Sequence, residues 1–455
     1  MIDRLERALR RAERFKVEYA ELRFESISLL TLDYRDGRFD AFSRRLREGV
    51  AVRVLADGAW GFSSTSRLDN LERAIEGAYK LAKAAAQTKK EKIELAEVKP
   101  VQDFVKSKMK IKPAQIDVEE KVAHVKELGT LLLEDSTVKS VWIHYEDAGG
   151  RKVLVTSEGA KIEWDYNYLF QMATAVGRSG NIVASAGDNI GSVDAGWEIF
   201  ERNPNEEVAR RILERLRPQF YAVRPKRGEW PIVLSPKFSA LIAHEALGHP
   251  AEADLTEKSS FKGLLGQRIA PDFVSMSDGP MENGFGNDKY DDEGVPVRKV
   301  EILKNGILNE LMVDRERAFR LNIEPNGHAR AESYLNPPKI RMRNTFFEPG
   351  DWSFEEMLED IEFGYYLVLP RGGQAQLNTA FQVGVALGYT IRSGELAEPV
   401  KDTSITGIAI EAIKKISAVG KDFGFAFGAC GKGGQMAWVS SGGPHMRFDG
   451  GILIG

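Results

Sequence analysis

The chain has 455 residues, 43% of them hydrophobic and 29% charged, with a formal net charge of −4. That length exceeds one ordinary hydrophobic core and predicts two domains, while the slight acidity argues against nucleic-acid binding as the main role. Cys430 is the sole cysteine, which excludes an internal disulfide and fits a reducing cytoplasm, and no apolar run is long enough to suggest a transmembrane helix.

The opening MIDRLERALRRAERF is charged and amphipathic, with Ile2, Leu5, Leu9, Ala12 and Phe15 on roughly one face. It lacks the apolar core of a secretory signal, and Asp3, Glu6 and Glu13 count against a transit peptide, so a cytoplasmic protein is expected. Tyr19 to Tyr34 reads as a strand, with a turn signal at Asp36-Gly37. Gly49 to Leu55 is a second strand that Asp57-Gly58 turns into Trp60-Gly61-Phe62. A helix is predicted from about Asp69, with Leu71, Ile75, Ala78, Ala82 and Ala85 at helical spacing, and another over Val118 to Leu133. Strands resume around Val141, Val153 and Ile162. His124, in a helical pattern, and His144, in a strand, read as structural.

A boundary is expected within Arg215 to Trp230, where Pro218, Pro225 and Gly228 interrupt a basic stretch. The predicted fold is α+β. It has an N-terminal domain of alternating helices and strands over 1–222 and a strand-rich C-terminal domain over 223–455. In the latter, Val295 to Leu303, Asn305-Gly306 and Ile307 to Val313 form a hairpin signal. Further strands are expected at Ile340–Asn344, Tyr366–Leu369, Gln382–Ile391 and Gly394–Val400, with a helix at Ile408–Ile416.

The chemistry concentrates in His244-Glu245-Ala246-Leu247-Gly248-His249, which holds two of the chain's six histidines. Zinc peptidase chemistry needs imidazole ligands and a neighbouring carboxylate able to take a proton from water. Histidines at i and i+5 diverge by about 140° on an ideal α-helix, so sharing an ion requires a π-type insertion or local unwinding. Gly248 before His249 and Pro250 after it supply the means, and a helix from about Lys237, distorted near Gly248, is predicted. The competing reading is a core helix whose histidines only satisfy hydrogen bonds.

A catalytic zinc takes three protein ligands. Beyond His244 and His249, the candidates are Cys430, His328, His445 and carboxylates such as Glu252. Cys430 lies in a glycine-rich stretch beside Lys432, which would favour its thiolate; on residue chemistry alone it is equally a small buried hydrophobe.

His244-Glu245-Ala246 with Gly248-His249, the trailing Glu252 and Asp254, and Cys430-Gly431-Lys432 with Gly434-Gln435 together resemble the TldD/PmbA family, and its metal-bearing TldD-type subunit in particular. Asp291 to Gly294, Asn305-Gly306, Arg341 to Thr345 with Pro349-Gly350, and Gly372-Gly373-Gln374 extend the likeness through the C-terminal half. Gly49-Val50 and Gly61-Phe62 carry it more loosely in the N-terminal half. The resemblance implies a cytoplasmic zinc metallopeptidase hydrolysing small or unfolded peptides, which are held in extended form in a closed chamber. It implies Zn2+ on His244, His249 and Cys430, Glu245 as general base, and a TldE/PmbA-type partner subunit or a homodimer. The chain departs from the family at Ser440 to His445, and it lacks an Asp-Pro after Gly373-Gln374. A non-enzymatic, zinc-stabilised peptide-binding or partner subunit is the competing function, and Glu245 argues against it; a zinc hydrolase of non-peptide amides is a third.

Overall fold

Two aspartate–glycine pairs shape the N-terminal sheet. Asp36 (φ 49°) with Gly37 (φ 96°), and Asp57 (φ 53°) with Gly58 (φ 75°), are consecutive left-handed residues, as tight two-residue hairpins require. They join three long strands, β1 (Tyr19–Arg35), β2 (Arg38–Ala56) and β3 (Ala59–Thr65). The computed structural model describes residues 1–455, the side chains of Arg11 and Glu13 excepted. β4 (Gln102–Val105), β5 (Val138–Thr156), β6 (Lys161–Ser179) and β7 (Ile182–Ser192) complete a seven-stranded sheet, ordered β3-β2-β1-β5-β6-β4 with β7 also on β6. All its pairings are antiparallel except β4 on β6.

Side chains alternate across a strand, and both faces of this sheet are used. One face carries the helices α1 (Ile2–Ala12), α2 (Leu71–Ala86), α3 (Val118–Leu133), α4 (Ile199–Arg202) and α5 (Asn205–Leu216). Leu22, Phe24, Leu30 and Leu32 of β1 are buried beneath them. At Gly61 helix and sheet come so close that a Cβ would lie 1.8 Å from the Ala78 carbonyl oxygen. The opposite face, with Ile27, Leu29, Tyr168 and Phe170, packs on Phe285, Phe427 and Trp438 of the C-terminal half.

Every strand after β7 lies within 228–454, in two larger sheets of six and nine strands and one of two. The chain is thus a mixed α/β protein of several domains. The two halves are also tied by buried charge, for Arg53 of β2 pairs with Glu21 at 3.0 Å and reaches Glu293 at 2.6 Å. Among the described residues no helix is long and apolar enough to cross a membrane.

Some segments differ from the sequence reading. Val141 and Val153 belong to one strand, β5, because β1 and β6 pair with it across the intervening Gly149-Gly150. The strands expected at Val295–Leu303 and Ile307–Val313 shrink to Val300–Lys304 and Ile307–Leu308 around the left-handed Asn305-Gly306 turn. The helix expected at Ile408–Ile416 is only Ala409–Ala412 followed by a 3-10 turn, and Ile416 opens a strand that pairs with Met446–Phe448.

Candidate metal centre

A short helix, Pro236–Leu241, starts at Ser235, whose hydroxyl accepts the Phe238 N–H. It runs into a π-helix, Ile242–Gly248, and then a 3-10 turn, His249–Ala251. Ile242, Ala243, Ala246 and Leu247 are buried in the C-terminal core, so the segment is held along its apolar face. The His249 N–H donates to the His244 carbonyl, the i→i+5 bond of a π-turn, which brings residues five apart onto one side. The two imidazoles lie 5.2 Å apart between ring centres, at 80° to each other.

The third side chain arrives from far along the chain. Strands Gly424–Lys432 and Gln435–Gly443 form a hairpin, here termed the cysteine hairpin. It carries Cys430 Sγ to 3.6 Å from His249 Nε2. Donor atoms of His244, His249 and Cys430 all lie within 4.8 Å of one another. The hairpin is clamped by the buried Arg341, which donates to the carbonyls of Cys430 and Gln435.

Behind this cluster is a set of charges. His249 Nδ1 is 2.9 Å from Glu252 Oε2, and Glu252 is fully buried. Lys432 Nζ lies 3.2 Å from the same oxygen, 2.8 Å from Asp254, and donates to the Ile340 carbonyl. Glu252 Oε1 has no hydrogen-bond partner among the described residues. Burial opposes charge on the His249 imidazole, but hydrogen bonds to Cys430 and Glu252 outweigh it and its pKa is raised to about 10. Burial likewise opposes a Cys430 thiolate, yet hydrogen bonds with His244 and His249 win and lower its pKa to about 5. Near neutrality the pair thus rests as a thiolate beside an imidazolium; the thiolate is the form that ligates metals, and an ion bound there would take the place of the His249 Nε2 proton. Two imidazole nitrogens and a thiolate are a donor set zinc accepts, with three protein ligands leaving a fourth position open, so these residues fit the ion.

Glu245, directly after His244, is partly buried and makes no hydrogen bond or ion pair among the described residues. The other candidate ligands are engaged elsewhere. His328 is fully buried between Asn326 (2.8 Å) and Asp278 (3.0 Å). His445 bridges Asp422 (2.7 Å) and Tyr366 (2.9 Å). Glu252, weighed from the sequence as a ligand, instead grips the far nitrogen of a candidate ligand. Its place three residues after His249 was the available signal, since residues at i and i+3 share a helix face. Among the described residues Lys432 makes no hydrogen bond to the thiol; its ammonium pairs with Glu252 and Asp254. Asp291 to Gly294 is an interdomain joint, with Asp291 accepting three backbone N–H groups and Glu293 receiving Arg53.

Domain models of the PmbA/TldA metallopeptidases match along the chain: domain 1 over residues 20–82, the central domain over 111–217 and the C-terminal domain over 227–454. A metalloprotease of Methanocaldococcus jannaschii is 35% identical, covering 94% of this chain and 96% of the relative. A zinc metalloprotease TldD homolog of Saccharolobus solfataricus is 32% identical, covering 96% and 97%. The crystal structure of TldE from Thermococcus kodakarensis shares the fold, with a TM-score of 0.78 at 20% identity over 99% of this chain and 100% of that one.

Proposed function

Because the chain belongs to the PmbA/TldD family of metallopeptidases, we propose that it is a zinc-dependent peptidase acting on small or unfolded peptides bound in extended form. The observation that carries this reading is the meeting of His244, His249 and Cys430 within 4.8 Å, although Cys430 lies 181 residues from His249. When bound there, zinc supplies Lewis acidity toward the scissile carbonyl and acidifies water. Glu252 holds the His249 proton at Nδ1 and so presents Nε2. Glu245, with no competing partner among the described residues, accepts a proton from the attacking water on its carboxylate and passes it to the leaving amine nitrogen. The name of the Saccharolobus relative supports zinc over other metals.

The alternative, a binding subunit with a structural metal, gives Glu245 no task; an unengaged carboxylate beside the first ligand favours the enzyme. Further parts of the reading are a TldE/PmbA-type partner subunit or a homodimer, residence in the cytoplasm, and a division into domains 1–222 and 223–455. The lone cysteine supports the compartment, and the confinement of the first sheet to residues before 222 supports the division.

The test is elemental analysis with peptide hydrolysis on the wild type, Cys430→Ala and Glu245→Gln. About one zinc per chain is expected in the wild type and in Glu245→Gln, and much less in Cys430→Ala. Hydrolysis should fall by roughly 10²–10⁴-fold in Glu245→Gln. Wild-type activity in that variant would sink the assigned role, and a wild type that takes up no zinc would sink the reading itself.

A further inference from the structure

The two faces of the cysteine hairpin open on different surroundings. Cys430 points to the metal cluster. Ala429 and its neighbour Trp438 point the other way, into a cavity of about 370 Å³ between the hairpin and the N-terminal sheet. Trp164, Tyr166, Tyr168, Phe285, Tyr290 and Trp438 supply its aromatic walls, with Phe285 and Trp438 stacked at 5.0 Å. The volume falls in the range of small-molecule sites, and one aromatic amino-acid residue would occupy it.

Five cations and five carboxylates line this cavity, so the formal charges balance, but their contacts are uneven. Each lining carboxylate is already engaged: Asp288 by Arg343 at 2.9 Å, Asp291 by three backbone N–H groups, and Asp292 by the Ala331 N–H and, at 3.7 Å, Arg23. Glu146 accepts the Tyr168 hydroxyl and Glu332 the Met436 N–H. Arg45 is exposed, Arg47 pairs with Glu25 and Arg343 with Asp288, while Lys152 and Arg330 lie in the field of Asp288 with no carboxylate at ion-pair distance among the described residues. Arg330 donates only to the carbonyls of Met342 and Trp438, at 2.7 Å each, and forms no ion pair among the described residues. Lys152 makes no hydrogen bond or ion pair among them; its Nζ sits 3.8 Å above the Tyr166 ring. Arg343, fully buried in the lining, keeps Nη2 without a hydrogen-bond partner among the described residues. Burial, with Arg343 beside it and against the pull of Asp288, lowers the Arg330 pKa to about 10, whereas burial of Lys152 is outweighed by Tyr166, Asp292 and Asp288 and its pKa is raised.

We propose that this cavity is a second ligand site, separate from the metal cluster, for an aromatic group bearing a carboxylate. The ring packs among the tryptophans and tyrosines, and the carboxylate is received by Lys152 and Arg330. This chemistry is offered by a peptide ending in an aromatic residue and equally by a free aromatic acid. The inference does not depend on the peptidase reading.

Calorimetric titration of the full chain with N-acetylphenylalanine and with its neutral amide tests it. The acid should bind at least tenfold more tightly than the amide. Lys152→Met, which breaks no hydrogen bond and so should fold, should lose at least tenfold for the acid only. Cys430→Ala should bind the acid as the wild type does. A tetrapeptide ending in phenylalanine that binds more tightly than the acetylated acid makes the ligand a peptide terminus; equal affinity makes it a free acid. Equal binding of acid and amide, full affinity in Lys152→Met, or binding abolished in Cys430→Ala would each overturn the proposal. The first defeats the anion site, and the last moves the carboxylate to the metal cluster.

Discussion

Glu252 Oε2 and His249 Nδ1 lie 2.9 Å apart, and the imidazole is thereby turned so that its other nitrogen faces Cys430 at 3.6 Å. A carboxylate behind a ligating histidine sets its tautomer and raises its basicity. Glu252→Gln should keep the fold, because the amide can still accept from Nδ1, but lose the charge. Its zinc affinity, measured by competition with a chromophoric chelator, is expected to drop roughly 10–100-fold. Unchanged affinity would show that Glu252 serves packing alone.

Gly248 closes the π-helix in ordinary helical conformation, so its need for glycine is spatial. A Cβ there would lie 2.3 Å from Met342 Sδ and 2.9 Å from the Ala243 carbonyl oxygen. The methionine tip can move; the carbonyl belongs to the helix itself. Gly248→Ala is expected to cost about 1–3 kcal/mol, the usual range for overpacking, read as a lower urea midpoint. A variant as stable as the wild type would mean the π-turn is softer than its packing implies.

Arg53 is buried between Glu21 and Glu293. Its removal strands two carboxylates away from water. Arg53→Met should destabilise by about 3–5 kcal/mol, and adding Glu293→Gln should recover part of that loss. Chemical denaturation of the single and double variants checks both statements. A double variant no better than the single would put the cost in packing instead.

His124 accepts from Asn205 Nδ2 (3.3 Å) on one ring nitrogen and meets Gln171 Oε1 (3.1 Å) with the other. Both are satisfied by the neutral ring, and burial lowers its pKa to about 4. Above pH ~6.5 the imidazole is neutral folded and unfolded, and it contributes no pH dependence. Below that the unfolded chain takes up a proton the folded one refuses, so stability falls as pH drops from about 6.5 to about 4 and then levels. The full loss is on the order of 3 kcal/mol. His124→Gln should lack this slope in urea titrations at a series of pH values; an identical slope would acquit the residue.

Local chemistry was the legible part of this chain. The helix over Val118–Leu133 stands where its apolar spacing puts it, and the Asp36-Gly37, Asp57-Gly58 and Asn305-Gly306 turns adopt the left-handed backbone their residues favour. The hexapeptide announced its own need for a π-turn, because five-residue spacing fails on an α-helix. Two things had no local signature. The length of β5 comes from neighbours on both sides, which hold Gly149-Gly150 extended against their own weak preference. The approach of Cys430 to His249 is a product of the whole C-terminal fold, and residue chemistry left that cysteine undecided between ligand and filler. The helix expected at Ile408–Ile416 failed because the burial of Ala409, Ala412 and Ile413 ends a turn early, and Ile416 is drawn into a sheet.

Gly433 and Gly434 join the two strands of the cysteine hairpin with φ of 57° and 75°, a two-residue turn that sets Lys432 opposite Gln435. The second strand is anchored on its other edge by Asn344–Phe347, so a loop one residue longer would force the first strand to slip. Opposed residues share a side, and a slip of one exchanges the sides entirely. Cys430 would then enter the aromatic chamber and leave two imidazoles with no sulfur to meet. The handedness of two glycines thus acts as a selector, deciding which of two compartments receives the only thiol in the chain.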